Sequence, residues 1–282
     1  MKNALALAGC LFLAGCVPLT QEDLSQSSGV ITSYQYPELD AGGHEQQGLH
    51  FIVKGYDLER IKAVTELVEG FYNRIMQDTG LYSFKPAGLY PIILYASREE
   101  YLKKTRQPEW SRGLSMGNAI FTYDGDHLRG VLAHEITHLI FHEYMGGASG
   151  ELRWVNEGLA VYEEIQAENS PEVLRAWRGA VKAAYQNVIP FQDMVILIPA
   201  SEKERTVNTW YAQVGSVVSF MVETGGRFSF SIFLKELRRG QPLPQALQDG
   251  FAGKWRNLSD LEYGWHSTFH SLGGPNGAAE ER

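Results

Sequence analysis

Histidines recur every four residues in the segment VLAHEITHLIFHEY, at positions 134, 138 and 142. On an α-helix, residues four apart lie one turn above each other on nearly the same face, with Cβ atoms about 6 Å apart. Two imidazoles at this spacing can bind one metal ion, at about 2.0–2.1 Å from each nitrogen. The segment therefore predicts a helix over residues 130–144 with a metal-binding pair on one face.

The predicted pair consists of His134 and His138. Glu135 lies about 100° around the helix from His134, close enough to reach a water on the metal without displacing it. That is the position of a general base. His142 would lie about 12 Å from His134 on a straight helix, so it cannot bind the same ion. We expect His142 either to have a structural role or to contact one of the side chains that bind the metal.

A third ligand is predicted on the next helix, over residues 155–166. It carries Glu157, with eighteen residues between this glutamate and His138. A carboxylate from a second helix would complete three protein ligands and leave one position for water. The alternatives are a histidine pair that is only a surface or core feature, and a glutamate that only stabilises the helix N-terminus through its dipole.

The segment HEITH followed by WVNEGLA resembles the gluzincin clan of zinc metallopeptidases. The spacing and the W-x-N-E-G-x-A pattern are most similar to the aminopeptidase-N-like branch, with motifs spread over residues 116–250 in a much smaller chain. The resemblance implies one zinc ion per chain, bound by His134, His138 and Glu157. It also implies that Glu135 is the general base.

Two further segments resemble this family. Residues 209–226 (TWYAQVGSVVSFMVETGG) resemble a helix whose early tyrosine stabilises an oxyanion, which implies this role for Tyr211, with a packed aromatic residue as the alternative. Residues 115–123 (SMGNAIFTY) resemble the edge strand beside the cleft. This implies backbone pairing of Asn118 and Ala119 with an extended substrate, although such a segment can also be an ordinary strand.

The carboxylate that would support a zinc ligand is less clear. Val161 stands one turn beyond Glu157, where thermolysin-like enzymes have an acid. Glu164, two turns beyond Glu157, is the candidate for this supporting contact.

The resemblance implies hydrolysis of peptide bonds, with a peptide or protein as substrate. Aminopeptidases of the related branch have a G-x-M-E-N strand whose glutamate binds the free α-amine of the substrate, whereas Gly117 stands at that place here. We therefore expect an endopeptidase. The alternatives are an aminopeptidase, hydrolysis of another acyl substrate, and a zinc-stabilised binding or assembly lipoprotein without turnover.

The first residues predict export and lipidation. A lysine and a short apolar run are followed by Leu-Ala-Gly-Cys, which resembles a bacterial lipobox with Cys16 as the lipidated residue. Cys10 ends an earlier copy of these letters but follows too short a run, and a plain secretory signal is the other alternative. We expect a signal peptide over residues 1–15 and a lipid-anchored protein of the cell envelope. In a Gram-negative cell it would face the periplasm from the outer membrane.

The remaining pattern predicts the domain organisation. Residues 16–48 are polar and predict a tether, residues 49–272 a peptidase domain, and residues 273–282 a disordered tail. Three predicted strands precede a run of helices, which indicates an α+β fold: a small N-terminal mixed sheet, with an edge strand beside the HExxH helix, and a helical C-terminal half. Residues 194–199 (MVILIP) predict a buried strand or, alternatively, a wall of the cleft or a docking site. The net charge of −8, without a Lys/Arg cluster, makes nucleic acid an unexpected partner.

Overall fold

The computed structural model of the protein describes residues 37–147, 150–168 and 170–273. The predicted signal peptide, Cys16 and residues 274–282 lie outside this part of the chain. Within the described residues, no helix combines the length and the apolar content required to cross a bilayer. The fold is α+β, as predicted, with a five-stranded sheet followed by helices.

The sheet is mixed, with strand order β1-β2-β3-β5-β4. The inner strands β2, β3 and β5 run parallel, whereas β1 and β4 pair antiparallel at the two edges. The bounds of the strands are β1 His44–Gln47, β2 Phe51–Gly55, β3 Tyr90–Tyr95, β4 Gly113–Met116 and β5 Ala119–Tyr123.

The edge strands β1 and β4 are the ones that the sequence pattern did not predict. β1 has the sequence HEQQ and lies within the predicted tether, so the sheet begins at His44 rather than near Leu49. An edge strand is held by backbone hydrogen bonds to a single neighbour and needs no alternating apolar pattern. Further upstream, the carbonyl of Pro37 accepts a hydrogen bond from the Tyr95 hydroxyl at 2.6 Å.

Ten helices follow or separate the strands in the described residues. They are α1 Leu58–Thr79, α2 Arg98–Thr105, α3 Leu128–Met145, α4 Arg153–Ala167, α5 Pro171–Gln186, α6 Phe191–Met194, α7 Glu204–Gly225, α8 Arg227–Arg238, α9 Leu243–Gly250 and α10 Leu258–Gly273. Short 3₁₀ turns cover Gly150–Leu152 and Pro199–Ser201.

The first two helices begin at side chains that cap them. The Asp57 side chain accepts a hydrogen bond from the backbone amide of Arg60 and so caps α1, which ends at Gly80 with a φ of 67°. The Ser97 side chain caps α2 in the same way. These local signals fix the ends of both helices without help from the rest of the fold.

The centre of the molecule is formed by α3, α4 and α7. Helix α3 is buried on nearly every side, between the sheet, α1 and α4. Helix α4 packs between α3 and α7, and the close approach of α7 requires Gly158, since a Cβ atom there would lie 2.6 Å from the Val214 carbonyl oxygen. Gly158 follows Glu157, so this close contact holds the glutamate at a fixed place opposite α3.

Residues 194–199 do not form the buried strand that was favoured from their sequence. Their backbone is held by local hydrogen bonds, from Ile196 and Leu197 to the Asp193 carbonyl, rather than by a strand partner. The side chains of Ile196 and Ile198 are 73% and 45% exposed. The segment is a turn between α6 and α7, with apolar residues at the surface.

Candidate metal centre

Two helices bring the predicted ligands together. Helix α3 supplies His134 and His138, and α4 supplies Glu157 from the opposite side. Oε2 of Glu157 lies 3.9 Å from Nε2 of His134 and 3.7 Å from Nε2 of His138. Ligand atoms around a tetrahedral zinc ion lie about 3.4 Å apart, so these two distances are slightly longer than in a bound site. The cluster could hold a metal ion.

The donor atoms of this cluster are buried and point at one another. The side chains of His134, His138 and Glu157 are 4%, 5% and 6% exposed. Neither Nε2 of His134 nor Oε2 of Glu157 has a hydrogen-bond partner. Buried polar atoms without partners are costly, and a cation between them removes that cost. Two imidazoles and a carboxylate are a donor set that zinc accepts.

The electrostatics of the cluster also favour a cation. Burial lowers the pKa of His134, but the hydrogen bond that its ring donates to Glu164, together with the charges of Glu164, Glu135 and Glu157, outweighs burial and raises this pKa to about 9. Positive charge at this point is therefore stabilised, either as a proton on His134 or as a metal ion.

Glu164 lies where the sequence placed it, two turns beyond Glu157. Its Oε2 is 2.9 Å from Nδ1 of His134. A carboxylate at this nitrogen fixes the proton on Nδ1 and leaves Nε2 facing the cluster. Glu164 therefore orients His134.

Asn156 was not predicted as a site residue. Its Oδ1 is 2.9 Å from Nδ1 of His138, and its Nδ2 is 3.0 Å from Nε2 of His142. Its place directly before Glu157 in the WVNEGLA segment was the signal available in the sequence. Burial and the nearby His138 lower the pKa of His142 to about 4, so its ring is neutral at neutral pH. As the helix geometry predicted, His142 lies outside the ligand cluster.

Glu135 lies beneath the edge strand β4. Its side chain is 1% exposed. The neighbouring residue of the strand is Gly113, where an added Cβ atom would lie 3.5 Å from Oε1 of Glu135 and 2.3 Å from Cγ1 of Val131. The glycine lets the strand backbone pass directly over Glu135, a contact that the sequence pattern did not show.

Tyr211 lies in the first half of α7 and is 1% exposed. Burial raises the pKa of Glu157, whereas the charge of His134 and, to a smaller extent, the Tyr211 hydroxyl oppose this. The hydroxyl is therefore at the ligand cluster, in addition to the packing of its ring against Trp210.

The structure corrects the predicted substrate strand. Ala119 begins β5, which pairs with β3 on one side and β4 on the other, so β5 has no open edge. Asn118 lies in the two-residue turn between β4 and β5, where Gly117 has a φ of 62°. The open edge belongs to Gly113–Met116 instead. The resemblance of residues 115–123 to an edge strand could not show that two strands are present, because the hairpin depends on the left-handed conformation of Gly117.

No protein-family model matches this sequence, and no curated protein does. Among solved structures, native leukotriene A4 hydrolase from Saccharomyces cerevisiae is similar with 17% identity and a TM-score of 0.41, over 78% of this chain and 37% of that chain. The yeast enzyme in complex with bestatin is similar with 16% identity and a TM-score of 0.40, over 82% of this chain and 38% of that chain. The present chain thus spans less than two fifths of these proteins, and a likeness of this degree assigns neither a family nor an activity.

Proposed function

We propose that the protein is a zinc-dependent endopeptidase. The observation that carries the proposal is the buried convergence of His134, His138 and Glu157 on one point, with Glu135 on the adjacent turn of α3. The HExxH spacing and the geometry thus agree on the same ligand set. Three protein ligands leave one position for water, as in catalytic rather than structural zinc sites.

A bound zinc ion would supply water activation and polarisation of the scissile carbonyl group. Glu135 would accept the proton of the attacking water and pass it to the leaving amine. Its burial beneath β4 shields it from bulk solvent and holds it within reach of a chain that lies along the strand.

Tyr211 would donate its hydroxyl proton in a hydrogen bond to the oxyanion that forms as water attacks. Support comes from the position of this hydroxyl beside the Glu157 carboxylate. A donor that acts on a developing oxyanion typically contributes about 10²–10³ in rate.

The substrate would bind as an extra strand along β4. In a two-residue hairpin the residues that flank the turn, Met116 and Ala119, form a hydrogen-bonded pair, so the next pair along the ladder directs its backbone groups outward. The amide and carbonyl of Ser115 therefore face the open edge, whereas the carbonyl of Gly113 already accepts a hydrogen bond from the Ser111 hydroxyl. An extended peptide paired there would pass beside Glu135.

Cleavage within a chain, rather than at its N-terminus, is supported by the β4–β5 hairpin. Its turn and adjoining residues, Ser115 to Asn118, include no acidic side chain that could bind a terminal ammonium group. Burying that group without a partner would cost several kcal/mol.

The deciding experiment measures zinc content and peptide cleavage together. Purified protein should contain one zinc per chain and cleave members of a mixed peptide library, and chelator should abolish the cleavage. Mass spectrometry on free and N-acetylated copies of a cleaved peptide should locate the same internal cut. Removal of single residues from the free copy alone would make the protein an aminopeptidase. A protein that contains zinc but cleaves no peptide would instead support the alternative of a zinc-stabilised binding or assembly protein.

The proposed location is the cell envelope, with Cys16 lipidated. The support is the lipobox-like LAGC sequence alone. Replacement Cys16→Ser should move the protein from the membrane fraction to the soluble fraction and stop incorporation of labelled palmitate, with Cys10→Ser as the control. Palmitate retained by Cys16→Ser and lost by Cys10→Ser would assign the anchor to Cys10.

A further inference from the structure

His142, Asn156 and His138 form a continuous row of hydrogen-bonded side chains that ends at the ligand cluster. Asn156 bridges the two histidines, at 3.0 Å from His142 and 2.9 Å from His138. Asn156 is 8% exposed, and the two imidazole rings are nearly parallel, with centroids 6.0 Å apart. The row is therefore packed in place between α3 and α4.

The two ends of the Asn156 amide have opposite hydrogen-bonding character, because the oxygen accepts and the nitrogen donates. With Oδ1 toward His138, Nδ1 of the imidazole must carry the proton, and Nε2 keeps its lone pair toward Glu157. With the amide reversed, Nδ2 would donate to Nδ1 of His138, and the proton would have to sit on Nε2. Only the first orientation lets His138 bind a metal.

We propose that His142 is a positioning residue that selects this orientation, by accepting a hydrogen bond from Nδ2 of Asn156 at its Nε2. In this proposal the neutral His142 ring carries its proton on Nδ1, so its Nε2 offers only an acceptor and directs the amide oxygen away from His142 and toward His138. The inference rests on the proposed function to the extent that His138 is a zinc ligand. It explains why the third histidine of the series lies outside the ligand cluster yet contacts the residue that orients a ligand.

The test is a double-mutant cycle on zinc affinity, measured by competition with a chromophoric chelator. His142→Phe keeps a flat ring but removes the acceptor, and we expect it to weaken zinc binding about tenfold to a hundredfold, the range for outer contacts of metal ligands. Asn156→Asp presents an oxygen to His138 in either orientation. When Asn156→Asp is already present, His142→Phe should change zinc affinity by less than about twofold.

Two further measurements separate positioning from packing. His142→Gln can present an amide oxygen to Nδ2 of Asn156 but also an amide nitrogen to Oδ1, so it should recover part of the zinc affinity that His142→Phe loses. In the zinc-free protein, ¹⁵N chemical shifts of labelled histidine should show the proton of His138 on Nδ1, and a shift toward Nε2 in His142→Phe. If His142→Phe does not fold, the His142→Gln affinity and the tautomer of His138 in that variant decide the question.

Equal losses of zinc affinity with and without Asn156→Asp would reduce His142 to a packing residue. Unchanged affinity and an unchanged His138 tautomer in His142→Phe would also overturn the inference. A wild-type protein that binds no zinc would instead refute the proposed function and this inference with it. Because none of these measurements needs a substrate, a missing peptidase activity would not affect their interpretation.

Discussion

At the scale of single residues, each imidazole of the cluster has a different supporting group. A carboxylate, Glu164, contacts Nδ1 of His134, whereas an amide, Asn156, contacts Nδ1 of His138. A carboxylate strengthens the basicity of its histidine more than an amide does, since it carries charge. The two imidazoles of the cluster are thus contacted at Nδ1 by groups of unequal strength.

Replacement of Glu135 by glutamine should abolish hydrolysis while zinc content and thermal stability stay near wild type. Glutamine keeps the size of the side chain but cannot accept the proton of the attacking water. The loss in kcat should be on the order of 10²-fold or more. Glu143, near the end of the same helix, is unsuitable as a control position because its carboxylate accepts a hydrogen bond from the Tyr90 hydroxyl. The exposed Glu66 provides the matched control, and equal activity in Glu135→Gln and Glu66→Gln would remove Glu135 from the reaction.

Replacement of Tyr211 by phenylalanine should lower kcat about 10²-fold with little change in KM, because the hydroxyl is proposed to act only in the transition state. The ring and its packing against Trp210 are kept. Steady-state kinetics on one cleaved peptide provide the measurement, and zinc content provides the control. An increase in KM at constant kcat would assign the hydroxyl to substrate binding instead.

At the scale of elements, the edge strand β4 and helix α3 form one unit. Gly113 has no side chain where the strand crosses Val131 and Glu135, so the strand lies close to the helix that carries the ligands. The strand therefore combines an open edge with a fixed distance to the proposed general base.

Replacement of Ser115 by proline tests the open edge. Ser115 is opposite Ile120 in a pair whose backbone groups point outward, so proline would remove an amide that β5 does not use. We expect kcat/KM for peptides to fall about threefold to tenfold, the equivalent of one hydrogen bond. Zinc content should not change.

Ser115→Ala is the matched control, since it removes the hydroxyl and keeps the amide. If alanine and proline reduce kcat/KM equally, the side chain rather than the strand edge contacts the substrate. If neither has an effect, peptides do not pair with β4 at this residue.

At the scale of the whole molecule, an ion pair between Arg74 and the buried Glu163 joins α1 to α4. Glu163 is fully buried and its Oε2 accepts a hydrogen bond from Nε of Arg74 at 2.8 Å, while its Oε1 has no partner. Burial raises the pKa of Glu163 to about 7, although Arg74 opposes this.

This raised pKa predicts how stability depends on pH. In the folded protein Glu163 holds its proton more tightly than in the unfolded chain, where the pKa is 4.5. Below a pH of about 4.5, the protonated Glu163 therefore makes its full contribution to the free energy of unfolding. This contribution is lost as the pH rises through about 7. Glu163→Gln should remove this loss, which is about 3 kcal/mol for a pKa that rises from 4.5 to about 7.

Urea unfolding at a series of pH values provides the measurement, with the exposed Glu66→Gln as the control. Titration of the histidines is common to all three proteins and cancels in the comparison. Parallel pH profiles for wild type and Glu163→Gln would show that the pKa of Glu163 is the same in the folded and the unfolded protein, which would contradict the prediction.

The sequence by itself was enough to predict the cluster that could hold a metal ion and the fold class. The interval of four between His134 and His138 places both on one helix face through local geometry alone, and the second motif supplied Glu157 on the next helix. The succession of strand patterns and then helical patterns was enough for α+β, and the Asp57 and Ser97 caps fixed two helix starts. These features follow from residues close together in the chain.

Only the tertiary structure decided what surrounds the ligands. The order of β4 and β5 depends on pairing between strands and on the left-handed Gly117, so the open edge proved to be β4 rather than the strand containing Ala119. The contact of Asn156 with both His138 and His142 depends on how α3 and α4 pack. Spacing along a chain fixes which side chains share a face of one element, whereas contacts between elements depend on packing over the whole core.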